Sequence, residues 1–218
     1  MAFVPLLDVL DAEQRRSLLA AARVRRFGRQ EILFHEDDPA DSLHVLTRGR
    51  VAVQVRSDLG VAVTVDVVGV GDILGELALL TPNARRAATA IALEPTETMV
   101  VTAAQFGALR AEHSEIERML VALLVERTRR QSARLVEALT VSAPRRVLRR
   151  LVELCEVYAP GQNEALIPLT QDHLAGLAGT TRETVNRTLR QEADRGTVVL
   201  GRGRMTVRNR ADLASRAN

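Results

Sequence analysis

Thr170-Gln171-Asp172-His173-Leu174-Ala175-Gly176-Leu177-Ala178-Gly179-Thr180-Thr181-Arg182-Glu183-Thr184-Val185-Asn186-Arg187-Thr188-Leu189 reads as two short helices joined by a tight turn. Thr170 is the residue type that caps a helix start. Leu174, Leu177 and Ala178 recur at helical spacing and face inward. Ala175 is small, as a close helix crossing requires. Gly179 falls where the turn needs a positive φ. Val185 and Leu189 bury the second helix. The spacing of Ala175, Gly179 and Val185 fits a helix-turn-helix, with a plain helical hairpin as the alternative.

The polar residues separate those two readings. Arg182, Glu183, Asn186 and Arg187 lie on the exposed side of the second helix near its N-terminus, the end that enters a major groove in this motif. Arginine suits the two acceptors of guanine, and a glutamate accepts from the cytosine amino group. Thr170, Thr180, Thr181 and Thr184 are candidate phosphate donors beside helix N-termini. Glu183 has two roles open to it. If Thr180 caps, Glu183 completes a capping box; if Thr181 caps, Glu183 is free for the groove. Beyond this, Val198-Val199-Leu200, Gly201-Arg202-Gly203 and Met205-Thr206-Val207 read as a hairpin, which makes the motif winged. Arg202 and Arg204 in it are candidate phosphate contacts, with solvated turn arginines as the alternative.

Working outward, the 218 residues suffice for two small domains. Hydrophobic residues at 46% can build cores, but aromatics are only 2%, so those cores must be aliphatic. That scarcity also excludes modules that stack bases on aromatic platforms. The formal charge is +3, yet nine arginines face four acids between Arg182 and Arg216, a local excess suited to a polyanion. The single cysteine, Cys155, sits in the run Leu151-Val152-Glu153-Leu154-Cys155 and reads as a small core residue; it excludes an intrachain disulfide or an iron–sulfur centre. His35, His44, His113 and His173 show no ligand spacing, and His173 reads as a surface residue. The start of the chain lacks the pattern of a signal peptide, and no apolar run is long enough for a bilayer. A cytoplasmic protein that does not engage membrane is the expectation.

Residues 11–22 read as a short helix, with Asp11 as N-cap and Gln14 as its capping-box partner. From Arg23 to Val101, short alternating runs such as Ser42–Leu46, Val51–Val55 and Val61–Val67 are punctuated by Gly49, Gly60, Gly69 and Gly71. They predict a small antiparallel barrel or sandwich. From Ser114, the apolar stripe Ile116, Met119, Leu120, Leu123, Leu124 resumes at Leu135, Val136 and Leu139. Arg127, Gln131 and Ser132 interrupt it. A long helix with such a seam is suited to pairing with a copy of itself or to crossing between domains, with an ordinary core helix carrying one solvated turn as the alternative. Ser142-Ala143-Pro144 ends it. Residues 145–158 form another amphipathic helix, and 160–163 a turn.

Gly75-Glu76-Leu77-Ala78-Leu79 and Arg85-Arg86-Ala87-Ala88-Thr89 form the second chemical feature. A glycine admits close backbone approach, an arginine pairs with phosphate oxygens, and a glutamate accepts from a sugar hydroxyl. Chemistry alone reads this as a phosphate-and-sugar site, with a surface ion pair as the bland alternative.

The stretch from Gly75 through Thr89 resembles the phosphate-binding cassette of cyclic-nucleotide-binding domains. Arg182-Glu183-Thr184-Val185-Asn186-Arg187 resembles the recognition helix of the catabolite activator (CRP/FNR) family, and residues 5–215 are similar to that family throughout. The resemblance implies an α+β architecture: a cyclic-nucleotide-binding β-roll of double-stranded jelly-roll type over residues 1–113, a dimerisation helix and hinge over 114–140, and a winged helix-turn-helix over 141–218. By the same resemblance, Arg86 pairs with the cyclic phosphate and Glu76 with the ribose 2′-hydroxyl. Gly75, Leu77, Ala78 and Ala87 form the cassette, and Ala87 leans toward cAMP over cGMP. Arg127 pairs with the cassette glutamate. Ser132 reaches the adenine from the partner subunit; its neighbour is Thr in the best-known members and Gln131 here, which can donate or accept at a purine edge.

The implied protein is a homodimeric, cAMP-controlled transcription regulator on a palindrome of double-stranded DNA with TGTGA-like half-sites, with RNA polymerase as a further partner. A second reading is a module that binds a nucleotide or another effector and acts through a protein partner, or a member whose DNA binding is independent of cAMP. Nothing suggests an enzyme: no nucleophile–base pair, metal-ligand cluster or Walker loop occurs.

Overall fold

The structure, a computed structural model, describes residues 11–13, 16, 22–58, 60–80 and 85–217. Asp11 Oδ1 accepts from the Glu13 amide at 2.9 Å, the bond an N-cap makes. The expected partner Gln14 and most of the 11–22 helix lie outside the described residues.

Among the described residues, the β-branched runs after Arg23 become eight short strands: β1 (Arg23–Phe27), β2 (Ile32–Phe34), β3 (Ser42–Arg48), β4 (Val51–Arg56), β5 (Ala62–Val68), β6 (Ile73–Leu74), β7 (Thr89–Ala92) and β8 (Thr96–Thr102). They pair in two four-stranded sheets, β1-β8-β3-β6 and β2-β7-β4-β5, and neither closes on itself. Of the barrel and the sandwich expected from short alternating strands, the open, rolled sandwich is the one formed. The side-chain period of two assigns the faces of β3. Leu43 and Val45 join Ile73, Met99, Val101, Phe106, Ile116 and Leu120 in one core. Leu46 joins Phe27, Leu33, Val51, Val68, Leu74, Ala90 and Ala92 in another.

A four-residue helix, α1 (Glu76–Leu79), follows β6, and α2 (Ala103–Glu112) follows β8. Thr102 starts α2 through a capping box with Gln105. Helix α3 (Ser114–Thr140) runs unbroken for 27 residues. Among its described side chains only Ile116, Leu120 and Glu137 are buried. The chain divides into two compact units within α3, between Arg130 and Gln131, with Val63–Asp66 grouped with the second.

The second unit adds α4 (Ala143–Tyr158), β9 (Ala165–Ile167), α5 (Gln171–Ala178), α6 (Arg182–Asp194), β10 (Val198–Gly201), β11 (Arg204–Val207) and α7 (Arg210–Ala217). Pro144 sits in the first turn of α4, where its missing N–H costs nothing. Val147, Leu148, Leu151, Leu154 and Cys155 bury one face of α4. Cys155 is thus a core residue, and burial pushes its thiol up to about 11. The expected hairpin of β10 and β11 is present, and β9, not anticipated from sequence, pairs with β11 to make a three-stranded sheet. Among the described residues no helix is long and apolar enough to cross a membrane.

Candidate ligand site and nucleic-acid interface

In the first unit, β6 delivers the chain to Gly75 at φ 85°, a conformation that costs an L side chain roughly 1–2 kcal/mol. A Cβ there would collide with the Arg86 guanidinium and approach the Ser42 carbonyl at 3.3 Å. Glycine therefore serves both the turn and the close approach of arginine to backbone. Glu76 opens α1 and is only 1% exposed. From α3, Arg127 forms an ion pair with Glu76 Oε1 and donates to the Ile73 carbonyl at 2.8 Å. Burial pushes the Glu76 carboxyl above its ordinary range, and Arg127 is the largest influence opposing that rise.

Arg86 is 3% exposed. One terminal nitrogen donates to the Gly75 carbonyl at 3.3 Å. The other donates to Ser42 Oγ at 3.3 Å and Asp41 Oδ1 at 3.5 Å. Burial lowers its affinity for the proton, opposed first by Asp41. Backbone bonds hold its position: the Arg86 amide donates to Asp38 O, and the Asp37 amide to Arg86 O, both at 2.9 Å. Two side-chain atoms here are buried without a hydrogen-bond partner among the described residues, Glu76 Oε2 and Arg86 Nε. One is an acceptor and the other a charged donor, and leaving either unmade is costly. A ligand offering a hydroxyl and an anionic oxygen would satisfy both.

The remaining cassette residues take varied places. Leu77 and Ala87 are exposed, and Ala78 lies within α1. Residues 81–84 lie outside the described residues. Gln131 and Ser132 are exposed on α3 beyond the division between the units.

In the second unit, Thr170 Oγ1 accepts from the His173 amide, and the His173 ring returns a contact to the Thr170 amide. His173, expected at the surface, is instead half-buried in this capping box. Leu174, Ala175 and Ala178 are buried, and Leu177 is half-buried. Gly179 takes φ 58°, and the Thr180 amide returns to Ala175 O at 3.0 Å. Thr180 thereby belongs to the closing turn of α5. Thr181 is the N-cap of α6, accepting from the Thr184 amide at 3.2 Å. Glu183 is therefore the second residue of α6, outside any capping box, and exposed. This resolves the choice left open by sequence.

Thr181, Arg182, Glu183, Arg187 and Arg190 are exposed, while Val185, Thr188 and Leu189 are buried. Arg182 Nε lies 3.8 Å from Asp172. Asn186 is half-buried and donates to Gln171 Oε1 at 3.1 Å. Thr184 Oγ1 is 3.1 Å from Thr181 Oγ1. Arg202 and Arg204 are exposed in and beside the β10–β11 turn.

Sequence reading missed the residues that hold these elements. Arg146 donates to Val141 O at 2.7 Å, Gly179 O at 2.8 Å and Ala178 O at 2.9 Å. One side chain thus serves the carbonyl ends of both α3 and α5. Glu192, 1% exposed, accepts from Arg216 at 2.6 Å and Arg195 at 2.7 Å, tying α6 to α7. In the first unit, Ser42 and Asp41 lie over 40 positions before the arginine they contact. Apart from Arg195, three residues after Glu192, none of these partners has a local spacing signal.

The family model for the cyclic nucleotide-binding domain matches residues 24–113, and that for the Crp-like helix-turn-helix domain matches residues 145–216. The chain is 32% identical over 213 residues to the cyclic AMP receptor protein of Thermus thermophilus, covering 96% of this chain and 94% of that one. It is 32% identical over 197 residues to the CRP-like cAMP-activated global transcriptional regulator of Mycobacterium tuberculosis, covering 88% of this chain and 86% of that one. Among solved structures, the Thermus thermophilus catabolite activator protein is similar with a TM-score of 0.55 at 30% identity, covering 98% of each chain. The two family models match this chain in the order cyclic nucleotide-binding domain, then helix-turn-helix domain, and the likeness to the Thermus thermophilus receptor protein spans nearly the whole of both chains. This chain belongs to the CRP/FNR family of transcription regulators and is not an enzyme.

Proposed function

We propose that the first unit takes cAMP and that its binding governs the affinity of a homodimer for a palindromic DNA duplex. The observation that carries the ligand is the pair of buried unpartnered atoms. Glu76 Oε2 accepts from a ribose 2′-hydroxyl, and Arg86 donates to the cyclic phosphate. Gly75, Leu77, Ala78 and Ala87 supply the surrounding backbone, and Arg127 holds Glu76 through its ion pair. The relatives named for cAMP support the base assignment.

The exposed apolar residues of α3 support the second copy. Leu135 is 63% exposed and Leu139 79%, and Val121, Val125 and Val136 are also exposed large hydrophobics on this helix. A helix face carrying this much exposed apolar surface is unfavourable in water, and an isologous pairing of two copies buries it. Gln131 and Ser132 interrupt that face and are assigned to the purine of the nucleotide.

On DNA, Arg182, Glu183 and Arg187 are assigned to base edges, with Asn186 beside them. Thr170, Thr180, Thr181, Thr184, Arg202 and Arg204 are assigned to phosphates. RNA polymerase is the further partner such a regulator meets at a promoter.

Calorimetry with cAMP and cGMP on the full chain and on Arg86→Ala tests the ligand. The parent should bind cAMP more tightly than cGMP, and the variant should lose cAMP. No cAMP binding by the parent, or equal binding by both proteins, refutes it. Gel shifts on a TGTGA palindrome, with and without cAMP, test the output. Retardation that is the same without nucleotide would refute the allosteric claim. Arg182→Ala should lose about 1–3 kcal/mol of discrimination at one base pair.

A further inference from the structure

Phenylalanine is scarce in this chain: four Phe, one Tyr and no Trp in 218 residues. Two of the four Phe meet at one place in the first unit. The ring of Phe34 lies 5.6 Å from the imidazole of His44, and the ring of Phe27 lies 6.2 Å from it, both tilted. The Arg86 guanidinium sits over Phe34 at 4.4 Å from the ring centroid. At the other end, Arg25 sits over Phe27 at 4.9 Å. The result is a column, Arg86, Phe34, His44, Phe27 and Arg25, with the cassette arginine at one end.

The hydrogen bonds of Arg86 do not suffice to fix it. Its side-chain hydrogen bonds are 3.3, 3.3 and 3.5 Å, long for a charged donor, where about 2.7–2.9 Å is usual. Its Nε has no partner among the described residues. Stacking is a different kind of restraint. It sets the plane of the guanidinium through its face and leaves the N–H edge to an anion. The backbone also aims Phe34. The pairing of β2 with β7 shifts register between Ile32 and Phe34, which sets Phe34 opposite Ala90. Such an irregularity redirects a side chain.

We propose that Phe34, seated on the buried imidazole of His44, is a positioning residue that holds the Arg86 guanidinium for the cyclic phosphate. This rests on the assignment of Arg86 to the phosphate given above. His44 suits the seat because it is a polar ring kept neutral. It is 2% exposed, and its Nδ1 lies 3.0 Å from Thr98 Oγ1. Burial, with Arg86 and Arg25 adding to it, lowers its pKa to about 4. At neutral pH it adds no positive charge behind the arginine.

The test measures cAMP affinity calorimetrically on the full chain for the parent, Phe34→Leu, Phe34→Tyr, Arg86→Gln and the Phe34→Leu, Arg86→Gln double variant. Melting of each nucleotide-free protein is followed by circular dichroism. Phe34→Leu keeps bulk and removes the π face; it should weaken cAMP about 3- to 10-fold, the size of one cation–π contact. Phe34→Tyr keeps the face and should bind as the parent does. In the Arg86→Gln background, Phe34→Leu should cost almost nothing more. Three results each overturn the inference: parent-like affinity in Phe34→Leu, equal weakening by Leu and Tyr, or an undiminished Phe34→Leu effect when Arg86 is Gln. If the parent binds no cAMP, or Arg86→Gln binds as the parent does, the phosphate assignment fails and this inference fails with it. Weakening by Arg86→Gln without weakening by Phe34→Leu removes this inference alone.

Discussion

Arg127→Met removes the cation from a carboxylate that has no access to water. Glu76 is 1% exposed, and Arg127 is its ion-pair partner. Breaking a buried pair from one side costs about 3–5 kcal/mol when the orphan stays charged. Glu76 has an escape, because it can take a proton. Holding a carboxyl of ordinary pKa 4.5 protonated at pH 7 costs about 3.4 kcal/mol, at about 1.36 kcal/mol per pH unit. That figure is the ceiling for the charge contribution. The lost bond to the Ile73 carbonyl, 2.8 Å, adds about 1 kcal/mol that does not depend on pH.

The pH dependence distinguishes this cause from simple loss of packing. Burial already raises the Glu76 carboxyl, and Arg127 opposes the rise. Removing Arg127 raises the folded-state value further above the unfolded one. The folded variant then binds an extra proton over a wider range above pH 4.5, so its stability falls as pH rises through that range. Below about pH 4.5 the carboxyl is protonated in both states and the charge penalty vanishes. Urea unfolding of the nucleotide-free first-unit transition, followed by circular dichroism from pH 4.5 to 8, measures it. The gap between parent and Arg127→Met should widen with pH, by less than about 3.4 kcal/mol at pH 7 because the parent already carries part of the penalty. In the Glu76→Gln, Arg127→Met variant, compared with Glu76→Gln, the widening should disappear. A gap that stays constant across the range refutes the reasoning.

Two further substitutions probe the backbone devices. Gly75→Ala should lose roughly 1–2 kcal/mol of stability from its positive φ and also weaken cAMP binding, since the new Cβ displaces Arg86; calorimetry that finds parent-like affinity would remove the close-approach argument. Thr181→Ala should lower the melting stability of the second unit by about 1 kcal/mol as a lost N-cap, whereas Glu183→Ala should leave melting unchanged and relax selectivity at one base pair in a binding-site selection. A stability loss in Glu183→Ala equal to that of Thr181→Ala would return Glu183 to a capping role.

Much of the second site was legible because its signals are local. Ala175, Gly179 and Val185 sit at spacings set by helix geometry and by one turn. A helix repeats every 3.6 residues whatever it packs against. The adjacent threonines were different. Thr180 and Thr181 are equally able to cap, and sequence left the choice open. The left-handed Gly179 decided it, because the Thr180 amide then returns to Ala175 O and the next residue is the first free to cap. Asn186 read as a groove-facing residue, but its amide also reaches Gln171 across a helix crossing that no spacing reveals. Strand β9 is three residues long, too short for a periodicity, and exists through its pairing with β11.

By itself the sequence determined the order of the parts: alternating short strands, one long helix, and a winged helix-turn-helix with an arginine-rich end. It also determined the chemistry of the cassette, since Gly75, Glu76 and Arg86 are close in the chain and differ sharply in type. Only the tertiary structure decided how that chemistry is held. Ser42 on β3, Phe34 on β2 and Arg127 on α3 reach the cassette residues through sheet register and helix packing. Burial then decided the charge states, because Glu76 and His44 owe their shifted proton affinities first to exclusion from water, and exclusion from water is a property of the packed chain rather than of any segment of it.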